Sequence, residues 1–349
     1  MDKRVLLSVR GLKKYFPLPK PSWFSKTRPQ LRAVEKVDLE VYAGETFGVV
    51  GESGCGKSTL GKTLLQLQKP TQGEVYYYGE EGNGVELTSL SAKEMRGLRK
   101  DLQIIFQDPY SSLNPRMTVG QIIEEGAATH GFYKRGTDEM KKYVLEIMQK
   151  CGLQGYAAER YPHQFSGGQR QRVCIARALA VQPKFVVCDE CVSALDVSVQ
   201  AQILNLLSEL KEREGLTYLF ISHDLSVVRY LSDRIAVMYL GSIVELGEAE
   251  KIFQSPAHPY TIALISAAPS GKREGAEGRI LLSGQMPSPI SPPKGCPFHT
   301  RCFMAQDCCK KGETPVKTLQ DGRRVACHFA EMPTEEKRRL AFENQKSRP

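Results

Sequence analysis

Short apolar runs alternate with helical patterns along the first two thirds of the chain. Runs at 45–50, 102–106, 185–188, 218–222 and 234–240 are rich in Val, Ile, Leu, Phe and Tyr and end at polar or turn residues, which predicts strands. Residues 1–10 alternate apolar and polar up to Gly11 and predict another strand, not a secretory leader. Ser91 and Glu94 have the spacing of a capping box, in which each side chain satisfies a free backbone amide of the other, so a helix is expected to open there. Residues 137–150 carry the apolar spacing of a further helix. Strands alternating with helices predict an α/β domain with a largely parallel sheet. No apolar run approaches the roughly 20 residues that cross a bilayer, so no span is expected.

Two stretches interrupt the alternation. Pro17, Pro19, Pro21 and Pro29 surround the single tryptophan, Trp23, and predict a surface loop inserted between two early strands. Residues 285–295 form a proline-rich connector that leads into a crowd of cysteines. The domain boundary is placed near residue 255, giving an α/β domain at 1–255 and an appended region at 256–349. Composition changes little in this picture, because 41% hydrophobic and 25% charged residues in a 349-residue chain describe an ordinary globular protein. The net charge of +9 is scattered, with no basic run interleaved with aromatics, so a nucleic-acid partner is not expected. Such a surface also suits acidic lipid headgroups beside a membrane-bound partner.

The chemistry is concentrated in three motifs. Gly51, Glu52, Ser53, Gly54, Cys55, Gly56, Lys57, Ser58 and Thr59 fit the P-loop pattern between a predicted strand and a helical run. Glycines there let backbone amides wrap phosphates, Lys57 offers a charge to the β and γ phosphates, and Ser58 can ligate Mg²⁺. The run at 185–188 ends in Asp189 and Glu190, an arrangement in which the first carboxylate can hold Mg²⁺ and the second polarise a water. Ser166, Gly167, Gly168 and Gln169 precede a helical run at 170–180 and place free amides at a helix start, a second phosphate-binding surface. Two such surfaces imply two chains clamping one nucleotide.

With these motifs in this order, the chain resembles the ATP-binding cassette (ABC) family, with Phe165 where the signature usually begins with leucine. The resemblance implies a P-loop ABC-type nucleotide-binding fold with a helical subdomain bearing the signature. It implies Tyr15 as the aromatic that stacks on adenine. Gln107 becomes the glutamine of the loop that meets the permease and a further Mg²⁺ ligand. The loop from Ser193 to Asp196 follows the acidic strand, and His223 is the switch histidine. Glu190 would act on the attacking water and His223 would sense the γ phosphate. Cys191 departs from the family, which has proline after the catalytic glutamate; losing a fixed φ is expected to loosen this loop slightly without abolishing activity.

Beyond residue 255, Pro256 to Thr261, Pro287 to Pro289 and Gly295 to Phe298 resemble the oligopeptide and dipeptide permease branch, and the run from Val192 to Asn205 resembles its F-type ATPase subunit. That resemblance implies an ATPase that energises peptide import from the cytoplasmic face of the membrane. Its implied partners are a D-type ATPase subunit, two permease subunits and an extracellular or periplasmic binding protein. Nickel chelates are an alternative cargo within the branch. A nucleic-acid-linked cassette ATPase is the competing class, but the long insertions or tandem cassettes of that class are absent from the sequence.

Ten cysteines divide into a dispersed set and a set of five within residues 296–327. Stable disulfides are disfavoured in a reducing cytosol, so the crowded set points to metal or redox chemistry. Four thiolates suit an iron–sulfur cluster or zinc, and the absence of C-x2-C pairs tilts the choice towards iron. The branch resemblance implies Cys296, Cys302, Cys309 and Cys327 as ligands of a [4Fe-4S] cluster, with Cys308 the spare. Zinc completed by His299 and His328, and reduced unligated thiols, remain the alternatives. With few long apolar runs, the appended region is expected to be a small loop-rich unit that cannot build its own core and would use such a cluster as a cross-link.

Overall fold

All five apolar runs form strands in the computed structural model, which describes residues 4–20, 28–79, 82–268 and 278–346. The middle of the proline-rich insertion, Trp23 included, lies outside the described residues. The chain begins with β1 (Val5–Pro17), β2 (Gln30–Tyr42), β3 (Thr46–Val50), α1 (Lys57–Leu64), β4 (Gln72–Tyr77) and β5 (Val85–Glu86). Next come α2 (Ala92–Leu98), β6 (Leu102–Ile105), α3 (Pro109–Ser112), α4 (Val119–Thr129), α5 (Asp138–Lys150) and α6 (Gly167–Leu179). The alternating part closes with β7 (Phe185–Asp189), α7 (Val197–Glu214), β8 (Thr217–Ile221), α8 (Leu225–Leu231), β9 (Arg234–Tyr239) and β10 (Ser242–Glu248). The tail adds α9 (Ala249–Gln254), α10 (Pro259–Ser266), β11 (Val316–Thr318), β12 (Arg324–Ala326) and α11 (Thr334–Lys346). None of the described helices is long and apolar enough to cross a membrane.

Two compact units divide these elements. The first comprises Met1–Leu7, Glu40–Thr46 and Tyr76–Ile221. In it β6, β7 and β8 are parallel neighbours, with Leu102 opposite Phe185 and Phe185 opposite Thr217. Every residue of β7 and β8 is buried, which is why both read as unbroken apolar runs: a parallel strand is covered on both faces. The predicted capping box is present, with the Ser91 Oγ accepting from the Glu94 amide and the Glu94 carboxylate accepting from the Ser91 amide. Helix α5 buries Met140, Tyr143, Val144, Ile147 and Met148 at three- and four-residue spacing, and the Tyr143 hydroxyl donates to the Ala180 carbonyl at 2.8 Å. Helices α4, α5 and α6 pack on one another as the helical part that carries the signature.

The second unit comprises Ser8–Leu39, Phe47–Val75 and Ser222–Pro349. Here β3 and β9 are parallel, and β10, β12 and β11 follow β9 in antiparallel order. The first strand runs on past Gly11, which takes a left-handed φ of 54° within it and donates its amide to the Asp38 carboxylate, where the sequence predicts a stop. The tail also differs from expectation. It does build apolar clusters, one joining Ile262, Ala263, Ile280, Phe303, Met304 and Ala341, the other Ala257, Val325, Cys327 and Ala330. Each segment contributes only one or two apolar residues, so no long run betrays the core.

A buried ionic node fastens the tail within this unit. The Glu245 carboxylate, fully buried on β10, accepts from the amides of Ala257 and His258 at 2.9 and 2.8 Å and from the Arg323 guanidinium at 3.2 Å. Burial pushes the Glu245 carboxyl up, and these donors oppose that shift. His258, held neutral by burial with its pKa pushed down to about 3, accepts the Tyr260 amide at Nδ1 and caps α10. Lys337 of α11 donates to the carbonyls of Ala257 and Ala330. Removing one partner of a buried pair strands the other charge, so Arg323→Ala is expected to cost about 3–5 kcal/mol of unfolding free energy in urea denaturation of the full chain.

Candidate active site

The P-loop leaves β3 and enters α1 within seven residues, and its shape follows from where its polar groups find partners. Lys57, only 4% exposed, turns back and donates from Nζ to the carbonyls of Gly51 and Glu52 at 2.9 and 3.0 Å. Cys55 is buried beneath the loop and its carbonyl accepts from the Gly241 amide at 2.8 Å. Burial pushes its thiol up, which leaves it an inert packing residue. Ser53 and Gly54 form the exposed crest, and Ser58 and Thr59 lie half-buried on the first turn of α1. Gly56 sits at φ 109°, and a Cβ there would lie 2.0 Å from the Ala33 carbonyl oxygen, so no side chain is tolerated.

In the same unit Tyr15 donates its hydroxyl to Glu35 at 2.6 Å, and the Arg32 guanidinium lies 5.7 Å from its ring centre. Burial, followed by the hydrogen bond to Glu35, pushes its phenol up, so the ring stays neutral. His223 is exposed in the turn between β8 and α8, where Asp224 caps the helix by accepting from the Ser226 amide.

In the first unit Asp189 ends β7 in a buried position, and Glu190 takes φ 48°, a left-handed conformation that only Gly adopts without strain. That turn is held at several points. The Glu190 amide donates to Ile221 at 3.0 Å and its carbonyl accepts from the Ser193 hydroxyl at 2.9 Å. Gln107 reaches the Glu190 carboxylate at 3.1 Å, so two residues 83 positions apart in sequence meet at one point. Cys191 is 1% exposed and its thiol hydrogen-bonds with Cys188, which together with burial pushes the Cys188 thiol well up. This buried contact anchors the loop by packing where proline would do so by fixing φ.

Ser166 caps α6 in a full capping box: its hydroxyl accepts from the Gln169 amide at 3.3 Å and the Gln169 side chain accepts from the Ser166 amide at 3.0 Å. The helix therefore starts at Gly167, earlier than the sequence pattern implies, and the first-turn amides belong to Gly167 and Gly168. Gly168 meets α7 so closely that a Cβ would come within 2.3 Å of Val199 Cγ1. Asp196 sits at the N-cap of α7 without a side-chain capping bond.

The crowded cysteines lie in the second unit. Cys296, Cys302, Cys309 and Cys327 line one narrow cavity with Phe298, Met304, Thr314 and Phe329, while Cys308 is exposed. The Cys296 amide donates to the Cys309 carbonyl at 2.9 Å, bringing two of the segments together. His299 turns Nδ1 to the Cys296 carbonyl, and the buried His328 Nε2 has no hydrogen-bond partner. Burial pushes Cys302 up to about 12 and Cys327 up to about 11, so both hold their protons at neutral pH unless a cation displaces them. Among the described residues no three Cys, His, Asp or Glu side chains stand close enough to hold a single metal ion. Tyr260 and Arg301 meet the P-loop at Glu52; Glu52 stands inside the phosphate-loop motif and Tyr260 inside the stretch at 256–261, but neither motif gave these side chains a role, and no local pattern marked Arg301.

A strand-to-helix phosphate loop, a buried strand ending in two carboxylates and a second glycine-led helix start define a P-loop ATPase of the cassette type. Residues 34–193 match the ABC transporter family, and residues 244–309 match the oligopeptide/dipeptide transporter C-terminal region. The oligopeptide transport ATP-binding protein AppF of Bacillus subtilis (strain 168) is 47% identical over 94% of this chain and 98% of its own length. The dipeptide transport ATP-binding protein DppF of Haemophilus influenzae is 49% identical over 92% of this chain and 96% of its own length. Among solved structures, the dimeric post-hydrolysis ATP-binding cassette MJ0796 bound to ADP and Pi superposes with a TM-score of 0.60 at 29% identity, covering 70% of this chain and 99% of that one. The chain belongs to the ABC transporter ATP-binding family, in the group that carries the oligopeptide/dipeptide C-terminal region, and hydrolyses ATP to drive transport.

Because the Gly56 backbone cannot accept a side chain without displacing the loop, Gly56→Ala is expected to weaken binding of a fluorescent ATP analogue by at least about tenfold and to lower the unfolding midpoint, a local strain of roughly 1–3 kcal/mol.

Proposed function

We propose that this chain powers the import of dipeptides or oligopeptides through a separate membrane permease, working at the cytoplasmic face of the membrane as a peripheral subunit. What carries the reading is the combination of near-full-length similarity to relatives named for oligopeptide and dipeptide transport with the matching tail. In this assignment residues 1–255 are the cassette and residues 256–349 the appended region. The partners are a D-type ATPase subunit, two permease subunits and a binding protein on the far side of the membrane.

Within the cassette Lys57 neutralises the β and γ phosphates, while the amides of Gly51, Ser53, Gly54, Cys55 and Gly56, with Thr59 behind them, cradle the nucleotide. Tyr15 packs on the base. Ser58, Gln107 and Asp189 hold Mg²⁺, which neutralises developing charge. Glu190 orients the attacking water, an assignment supported by its bond to Gln107 and its constrained backbone, and His223 contacts the γ phosphate. Ser166, Gly167, Gly168 and Gln169, with Asp196 beside them, face the nucleotide of the partner cassette. In the assembled transporter with binding protein and peptide, Glu190→Gln is expected to lower ATP turnover by about a hundredfold or more while retaining binding, and Lys57→Ala is expected to lose binding. Turnover that responds to a nickel chelate and not to peptide would overturn the cargo, and full turnover of a chain held monomeric would overturn the pairing.

For the tail, Cys296, Cys302, Cys309 and Cys327 are assigned to a [4Fe-4S] cluster that cross-links it, with zinc as the alternative. Support comes from four thiols around one apolar-walled cavity. A cluster takes each thiolate on a different iron. Anaerobic purification is expected to give iron and sulfide in equal, stoichiometric amounts; zinc without iron, or no metal, would sink the assignment.

A further inference from the structure

The P-loop is tied to the cysteine-bearing tail through Glu52, a residue for which phosphate binding has no use. All three polar groups of Glu52 are engaged. Its amide donates to the Tyr260 hydroxyl on α10 at 2.9 Å, and its carbonyl accepts from Lys57. Its carboxylate accepts from Arg301 Nη1 at 3.1 and 2.9 Å. The Arg301 side chain is only 8% exposed, lies over the Tyr239 ring at 5.9 Å, and stands between Cys296 and Cys302 in the chain. Beneath it Phe298, fully buried, packs against Tyr239 at 5.2 Å and Tyr260 at 5.4 Å. The short loop that bears two of the four clustered cysteines therefore grips the phosphate loop through one ion pair, and α10 adds one hydroxyl.

We propose that Arg301 is a positioning residue for ATP binding, acting through Glu52 to hold the P-loop in its phosphate-receiving shape. The physical case rests on geometry. Two carbonyls of the loop, at residues 51 and 52, converge on the Lys57 ammonium and a third, at Cys55, accepts from the Gly241 amide, so the side of the loop that carries the Glu52 side chain needs a hold of its own. A charge-assisted bond between a nearly buried guanidinium and a carboxylate supplies that hold and has a fixed direction. Adding a flexible tether would not; the aromatic wall of Tyr239, Tyr260 and Phe298 keeps both contacts rigid. Nucleotide affinity, and not the chemistry at Glu190, is the quantity this contact sets. The proposal concerns side chains of the tail and stands whether or not the cysteines carry a cluster.

The test uses the full chain for nucleotide binding and the assembled transporter for kinetics. Arg301→Gln is expected to raise the Kd for a fluorescent ATP analogue and the KM for ATP by about tenfold each, with kcat at saturating ATP changed by less than about twofold. Arg301→Lys should recover part of the affinity. Glu52→Gln, which leaves the tail intact and so guards against misfolding of the Arg301 variant, should match Arg301→Gln, and the double variant should be no weaker than either single one. A lowered unfolding midpoint with unchanged Kd and KM in Arg301→Gln or Glu52→Gln would reduce the pair to a structural strut and overturn the proposal. Additive losses in the double variant would do the same.

Discussion

The buried ammonium of Lys57 is the constraint on which the nucleotide site depends. A charge withdrawn from water must be met by acceptors, and here the acceptors are the carbonyls of Gly51 and Glu52 from the loop that precedes it. Closing that ring takes the backbone through positive φ at Gly51, Gly54 and Gly56, while the amides of Glu52 and Cys55 donate to the Tyr260 hydroxyl and the Glu52 carbonyl. The strand before the loop and the helix after it can then be packed apolar elements, because the turn between them has already satisfied its own polar groups.

A second constraint is the buried carboxylate of Glu245. It bonds two amides at the start of α10 and the guanidinium of Arg323, which sits just before β12, so strand, helix and tail are registered at one point. Burial alone would favour the protonated acid; three donors make the charged form tolerable. The antiparallel strands β12 and β11 then extend β10 and give the tail a sheet edge on which to build. The appended region is thus folded onto the cassette's second unit by ordinary packing and hydrogen bonding, to which a metal cross-link would add.

At the acidic strand end the arrangement is preorganised. Glu190 occupies a backbone conformation that costs roughly 1–3 kcal/mol for a non-glycine residue, and it persists because Ile221, Ser193 and Gln107 each hold part of it. Catalysis of phosphoryl transfer draws mainly on such positioning and on fixed charge. Cys191 anchors the same loop in another way, by a buried thiol against Cys188.

Much of this was legible in sequence because it depends on neighbours along the chain. Apolar runs at 185–188 and 218–222 mark strands covered on both faces, Ser91 with Glu94 marks a capping box, and the glycines around Lys57 mark a phosphate loop, since each is a local rule with a local partner. Contacts between distant segments left no such trace. The meeting of Gln107 with Glu190, the grip of Arg301 on Glu52 and the assembly of a tail core from scattered single residues each join positions tens to hundreds of residues apart. Sequence marked the candidate groups for phosphate, metal and water; tertiary structure decided which of them share a hydrogen bond, because a side chain's partner is set by how the chain folds back and not by what stands beside it.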